Sequence, residues 1–218
     1  EYYDNHVIPL FNSVFSIEVK GKFFLTKGTY GIRTSNSHIK NTLASLGFPY
    51  GRKNTIVHVP EDILYNNTEI KIAFLRGLFD TDGSLSFDRK TTNSNLFKKN
   101  RHYYPRISFS TTSQILALQT IWLLQELGFT PSLFIKIPKK IHYNISYEIS
   151  LCGKNTLFRW ISEISPANPI KLSRYYVWQK YGFCPPKTTY EQRQKILKGE
   201  LKPDNLYGCT CMYQKPLC

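Results

Sequence analysis

The chain has 218 residues, 41% hydrophobic and 15% aromatic, enough for one large domain or two small ones sharing a core. Lysine and arginine outnumber aspartate and glutamate by 29 to 15, for a net charge of +14 and a pI near 9.5. That excess points to a polyanion. No apolar run of about 20 residues occurs and nothing reads as a secretory signal or a basic amphipathic anchor, so nucleic acid is favoured over an anionic membrane surface. Five cysteines give no disulfide framework: Cys152 and Cys184 are isolated, and Cys209, Cys211 and Cys218 crowd the end without a paired CxxC knuckle for zinc. The reading is a reduced, intracellular protein, cytoplasmic if prokaryotic. The single methionine is Met212, so the chain from Glu1 is expected to be a processed product or a piece of a longer protein.

In chain order, Tyr2 to Phe15 carries a helical apolar stripe with Pro9 inside it. Ser16 to Leu25 alternates as a strand, Thr26-Lys27-Gly28 turns, and Thr29 to Thr34 returns as a hairpin partner. Ser35 to Leu46 predicts a helix capped by Ser35 or Ser37 and stopped by Gly47. The loop Phe48 to Lys53 ends in cations, and Val59 to Leu64 is a short helical turn. Glu69 to Phe79 is a helix with apolar residues at Ile70, Ile72, Ala73, Leu75, Leu78 and Phe79, a stripe wide enough to predict burial on most sides. Ser84 to Asp88 and Pro105 to Thr112 form a hairpin around a basic run holding Arg89, Lys90, Lys98, Lys99, Arg101 and Arg106. Phe97, His102, Tyr103 and Tyr104 interleave those cations, which suits contact with phosphates, sugars and base edges. Ser113 to Leu127 is an amphipathic helix stopped by Gly128. Ser132 to Pro138 and Ser146 to Leu151 are strands around Lys139-Lys140, with Lys136 on the first of them. Asn155 to Ile164 is a helix, Pro166 to Lys171 a loop ending in a cation, and Tyr190 to Leu197 a helix in a Pro- and Lys-rich tail with an irregular end.

The helix over 69–79 runs into Asp80-Thr81-Asp82-Gly83. Carboxylates at a helix C-terminus face the negative end of its dipole, unfavourable by about 0.3–1 kcal/mol each. A hard divalent cation is the expected compensation. Asp-Thr-Asp-Gly could equally be a helix stop and turn. An EF-hand is excluded by spacing, because position twelve from Asp80 is Thr91. Gly77 costs the helix about 1 kcal/mol against alanine, so it is expected to serve close approach of another backbone.

The two halves repeat. Helix, strand, strand with Tyr30-Gly31-Ile32, helix, loop and Lys53 recur as helix, strand, strand with Tyr147-Glu148-Ile149, helix, loop and Lys171, offset by about 117 positions. The second copy is preceded by the acidic helix and a hairpin; the first begins where the chain begins. The expected organisation is therefore a first half-domain over 1–67 lacking its motif helix and hairpin, a complete second half over 68–180, and a basic C-terminal extension over 181–218.

Leu75-Arg76-Gly77-Leu78-Phe79-Asp80-Thr81-Asp82-Gly83 resembles the LAGLIDADG motif, with Arg76 where a small residue usually sits. Gly47 to Lys53 followed by Val59-Pro60, and Asn168-Pro169-Ile170-Lys171, also resemble that family over roughly residues 1–180. The likeness is to double-motif, single-chain homing endonucleases of archaeal type with the upstream motif missing. It implies an α/β (α+β) fold of αββαββα halves, antiparallel saddle-shaped sheets set into the DNA major groove, and two motif helices side by side. It implies that Asp82, with Gly83 beside it, holds the catalytic metal, Mg2+ or Mn2+, that Asp80 and Gly77 are structural, and that Lys154 stands at the catalytic lysine position. Lys53 and Lys171 end equivalent loops and are given phosphate or structural roles. Ser108, Ser110 and Thr112 either face DNA or alternate outward on the sheet.

The function expected is site-specific double-strand cleavage by a metal-dependent DNA endonuclease, because phosphodiester hydrolysis needs a metal to neutralise developing charge and activate water. The alternative is a nucleic-acid binder on the same fold without cleavage, an intron maturase or regulator. One acid gives one nick unless a missing segment or a dimer mate supplies a second, and a monomer is favoured over a homodimer.

Overall fold

The structure is a computed structural model that describes residues 1–48, 54–89, 101–138 and 143–207. Lys53, Lys90, Lys98, Lys99, Lys139, Lys140 and the cysteines beyond Tyr207 lie outside the described residues.

The central unit begins with α4 (Thr68–Asp82), capped by Asn67, whose side chain accepts from the Ile70 amide. It continues through β3 (Ser84–Asp88), β4 (Tyr104–Thr111), α5 (Gln114–Glu126), β5 (Ser132–Lys136), β6 (Ser146–Cys152) and α6 (Lys154–Arg159), which widens into a π-type turn at Trp160–Ile164. The four strands form one antiparallel sheet in the order β3-β4-β6-β5. This is αββαββα with alternating faces. Leu85, Phe87, Ile107, Phe109, Ile149 and Leu151 are buried towards the helices. Ser84, Ser86, Arg106, Ser108, Ser110 and Glu148 take the opposite face by the period of two. Trp160 is fully buried at the centre, edge-on to Phe79, Phe109 and Phe129 at 5.4–5.8 Å.

Ahead of this unit, wider helical turns at Tyr3–Val7 lead into α1 (Ile8–Phe15), with Pro9 in its first turn where a missing amide does no harm. The strands β1 (Lys22–Phe24) and β2 (Thr29–Gly31) pair as a separate two-stranded sheet, followed by α2 (Ser37–Ser45) and α3 (Glu61–Leu64). The expected strand over 16–25 is shorter because the Asn12 side chain holds both the amide and the carbonyl of Val19, removing them from any ladder. The return strand likewise stops at Gly31 rather than Thr34. The helix cap is Asn36, not Ser35 or Ser37. Leu10, Val14, Phe23 and Leu25 are all exposed by more than half. The order helix, strand, strand, helix recurs in α1-β1-β2-α2 and α5-β5-β6-α6.

After the central unit, α7 (Pro169–Tyr181) packs against β3, and α8 (Tyr190–Lys198) packs on α7. A full capping box between Thr189 and Gln192 opens α8. Arg193, 1% exposed, ties α8 to α7 by donating to Ser173 Oγ, to the Ile170 carbonyl and to Thr188.

Candidate active site

The C-terminal end of α4 is enclosed by a turn that returns more than 80 residues later in the chain. Asp80 is buried, and its carboxylate accepts from the Ala167 amide at 2.8 Å and the Asn168 amide at 3.1 Å. Asn168 reciprocates, its side-chain amide donating to the Asp80 carbonyl at 2.7 Å, while its oxygen caps α7. Tyr2 adds a third donor to Asp80. Burial first, and then the Asp80 charge and hydrogen bond, push its phenol up to about 12. Arg76 Nε donates to the Ile164 carbonyl at 2.7 Å, so this side chain leaves along the turn instead of lying on the Gly77 face of α4.

Lys171 completes the arrangement. It is not the end of a loop, as the sequence suggested, but lies in the first turn of α7. Its ammonium donates to the Phe79 carbonyl and, at 3.2 Å, to the Thr81 carbonyl. These carbonyls belong to the negative end of α4. Burial pushes the Lys171 amine down to about 8, while the Asp80 and Asp82 carboxylates act the other way. A lysine therefore supplies the positive charge for which sequence reasoning invoked a metal alone. The signal for it was Asn-Pro-Ile-Lys, a capped helix start, and its target 90 residues away was not readable.

Asp82 is exposed and differs from Asp80 in every respect. Among the described residues one hydroxyl reaches it, Thr81 Oγ1 at 3.3 Å. It opens onto a cavity of about 490 Å³ bounded by Phe74, Leu78, Phe109, Ser110 and Ser146. Gly83 is fixed by packing: a Cβ there would sit 2.6 Å from the Phe79 ring. Among the described residues no group of three or more His, Cys, Asp or Glu side chains converges. Asp82 is then a one-carboxylate donor, which fits Mg2+, an ion commonly held by one or two carboxylates with water and substrate phosphate oxygens.

Other expected site residues fall elsewhere. Lys154 is exposed at the start of α6, its ammonium 5.5 Å from the centre of the Phe158 ring. The preceding Gly153 amide bonds the Pro105 carbonyl. Asp82 lies by Ser110 and Ser146, at the opposite ends of β4 and β6, so roughly 20 Å of strand at ~3.3 Å per residue separates the two. The structure brings Lys171, not Lys154, to Asp82. Arg106 and Lys136 stand on the outward sheet face and are paired there: Arg106 with Asp88 at 2.8 Å and with Glu148 at 3.9 Å, Lys136 with Glu148. Arg89 and Arg101 flank the β3–β4 connection, over the rings of Tyr207 and Phe183. Ser108 and Ser110 share the outward face, whereas the Thr112 hydroxyl donates to the Asn54 carbonyl.

The prediction that α4 is buried on most sides does not hold. Leu75, Phe79 and Asp80 are buried, but Ala73 and Gly77 are exposed and a Cβ on Gly77 would meet nothing within 4 Å. The wide apolar stripe thus has a covered side and an open one.

These features define an α/β protein in which a motif helix carries a carboxylate to the edge of an antiparallel sheet. Residues 69–165 match the family model of the LAGLIDADG-like domain, so the motif helix, the four-stranded sheet and the helices packed on it form a LAGLIDADG-like domain. No curated protein matches the chain. Among the described residues no helix is long and apolar enough to cross a membrane.

Proposed function

We propose that this chain is a metal-dependent DNA endonuclease of the homing type, acting on double-stranded DNA at a specific sequence. The observation that carries this reading is the division of labour at the end of α4. Asp80 is consumed by two backbone amides and a phenol, whereas Asp82, two residues on, is left open to the cavity. Asp80 is a buried structural acid; Lys171 offsets the charge at the helix end, but among the described residues only the Thr81 hydroxyl bonds the Asp82 carboxylate, whose oxygens stay open to a ligand. The charge of +14 supplies attraction for the DNA backbone.

Asp82 would hold Mg2+ or Mn2+, which when bound stabilises charge on the phosphate and activates water. Lys171 holds the helix end still and keeps a positive charge beside Asp82. The outward serines and the paired Arg106 offer hydrogen-bonding groups to base edges. One such acid serves one strand. A second motif helix, from another segment or another copy, fits the open Ala73–Gly77 side of α4 and would bring the second.

The test uses a pool of randomised duplexes incubated with the chain and Mg2+, with the new ends sequenced. Ends focused on one sequence are expected from the wild type. Asp82→Asn should retain the duplex in a binding assay and release no such ends. Cutting by Asp82→Asn at the wild-type rate would remove Asp82 from the reaction.

A further inference from the structure

The segment after α7 lies beyond the matched domain, yet it grips both ends of the β3–β4 connection. On the β3 side, the Arg89 guanidinium lies over the Tyr207 ring, 5.8 Å from its centre. On the β4 side, the Arg101 guanidinium lies over the Phe183 ring at 4.6 Å. The Tyr207 and Phe183 rings are themselves 5.9 Å apart. His102 locks the platform: its amide donates to the Tyr207 hydroxyl at 3.0 Å, its ring stacks on Tyr207 at 5.8 Å, and its carbonyl accepts from the Cys184 amide. Among the described residues one carboxylate pairs with these groups from the C-terminal side, Asp204, 2.7 Å from Arg101, with both side chains more than half exposed. Asp88 faces them from β3, but its carboxylate is held by Arg106.

Two arginines stacked on adjacent rings are pre-organised. A guanidinium lying on a ring keeps its N–H fork free at the edge and has less conformational freedom left to lose on meeting an oxyanion. We infer that Arg89 and Arg101, mounted on Tyr207 and Phe183, form a site for the phosphodiester backbone of duplex DNA, and that residues 182–207 serve to build it. The inference rests on the DNA reading above and adds to it a role for a segment outside the LAGLIDADG-like domain. Asp204 is the built-in competitor that a backbone phosphate displaces from Arg101.

The experiment measures binding of the full chain to a random-sequence 30-base-pair duplex across a salt series. Arg89→Ala and Arg101→Ala are each expected to lower the slope of log affinity against log salt by about 0.9, the value for one phosphate contact. Tyr207→Ala should weaken binding by about two- to fivefold, the worth of an exposed cation–π contact. Tyr207→Phe, which keeps the ring and loses the hydroxyl held by His102, should stay near wild type. Asp204→Asn should bind the duplex more tightly. Thermal midpoints of the same variants show that each is folded. Unchanged slopes in both arginine variants, or weaker binding by Asp204→Asn, would overturn the site while leaving the protein a DNA binder. A wild-type chain that does not retain the duplex at all would overturn the DNA reading and this site with it.

Discussion

Two aspartates two positions apart meet opposite fates because of what each faces. Asp80 looks inward, where Ala167, Asn168 and Tyr2 give it donors. Asp82 looks outward into the cavity. A hydrogen bond to a charged acceptor contributes about 1.5–3 kcal/mol. Asp80→Ala removes two from backbone amides and leaves the buried Asn168 amide and the partly buried Ala167 amide without that acceptor, so a loss of roughly 3 kcal/mol is expected, read from urea unfolding. Asp82→Ala breaks no such bond and should leave the urea midpoint within experimental error. Equal destabilisation by the two changes would contradict the separation of structural and reactive acid.

At the scale of elements, legibility followed locality. The hairpin strand Ser84–Asp88 was readable from the alternation of serine with Leu85 and Phe87, and α8 was expected over nearly the residues it occupies. The motif helix was readable too, because its aspartates and Gly83 end it within one turn. What escaped were partners distant in sequence. The contact of Lys171 with the end of α4 spans about 90 residues of chain, and no local pattern around Lys171 points to the Phe79 and Thr81 carbonyls it bonds. The clasp around Tyr207 was equally invisible, since nothing in 182–207 announces contact with His102. That clasp has a testable pH signature. Burial first, and the Arg89 charge second, hold the His102 imidazole below its ordinary value of 6.5, with Asp88 opposing. The Tyr207 hydroxyl lies 3.3 Å from the His102 Nδ1, and Arg101, the preceding residue in the chain, is paired with Asp204. A lowered base means the unfolded chain takes up the proton first as pH falls. The folded state therefore loses stability from about pH 6.5 downward and keeps it above. His102→Gln should show a smaller drop in thermal midpoint between pH 7.5 and pH 5.5 than the wild type, and an equal drop would remove His102 as the source.

For the whole molecule, the open side of α4 decides what the chain needs around it. Gly77 sits in the interior of a helix, exposed, with space on all sides of a would-be Cβ. Among the described residues nothing packs on the glycine, and it costs the helix about 1 kcal/mol relative to alanine. Small residues on an exposed helical face permit two backbones to approach closely, which a methyl group between them would prevent. The two effects have opposite signs, so one substitution separates them. Gly77→Ala should raise the thermal stability of the isolated chain by roughly 0.5–1 kcal/mol, since nothing is displaced. If α4 docks against a second motif helix during cleavage, the same variant should lose double-strand cutting while still binding duplex through its unchanged cations. Higher stability with undiminished double-strand cutting would mean that the Ala73–Gly77 side stays open while the DNA is cut. The second acid would then have to reach the DNA by a route that does not cross this helix face.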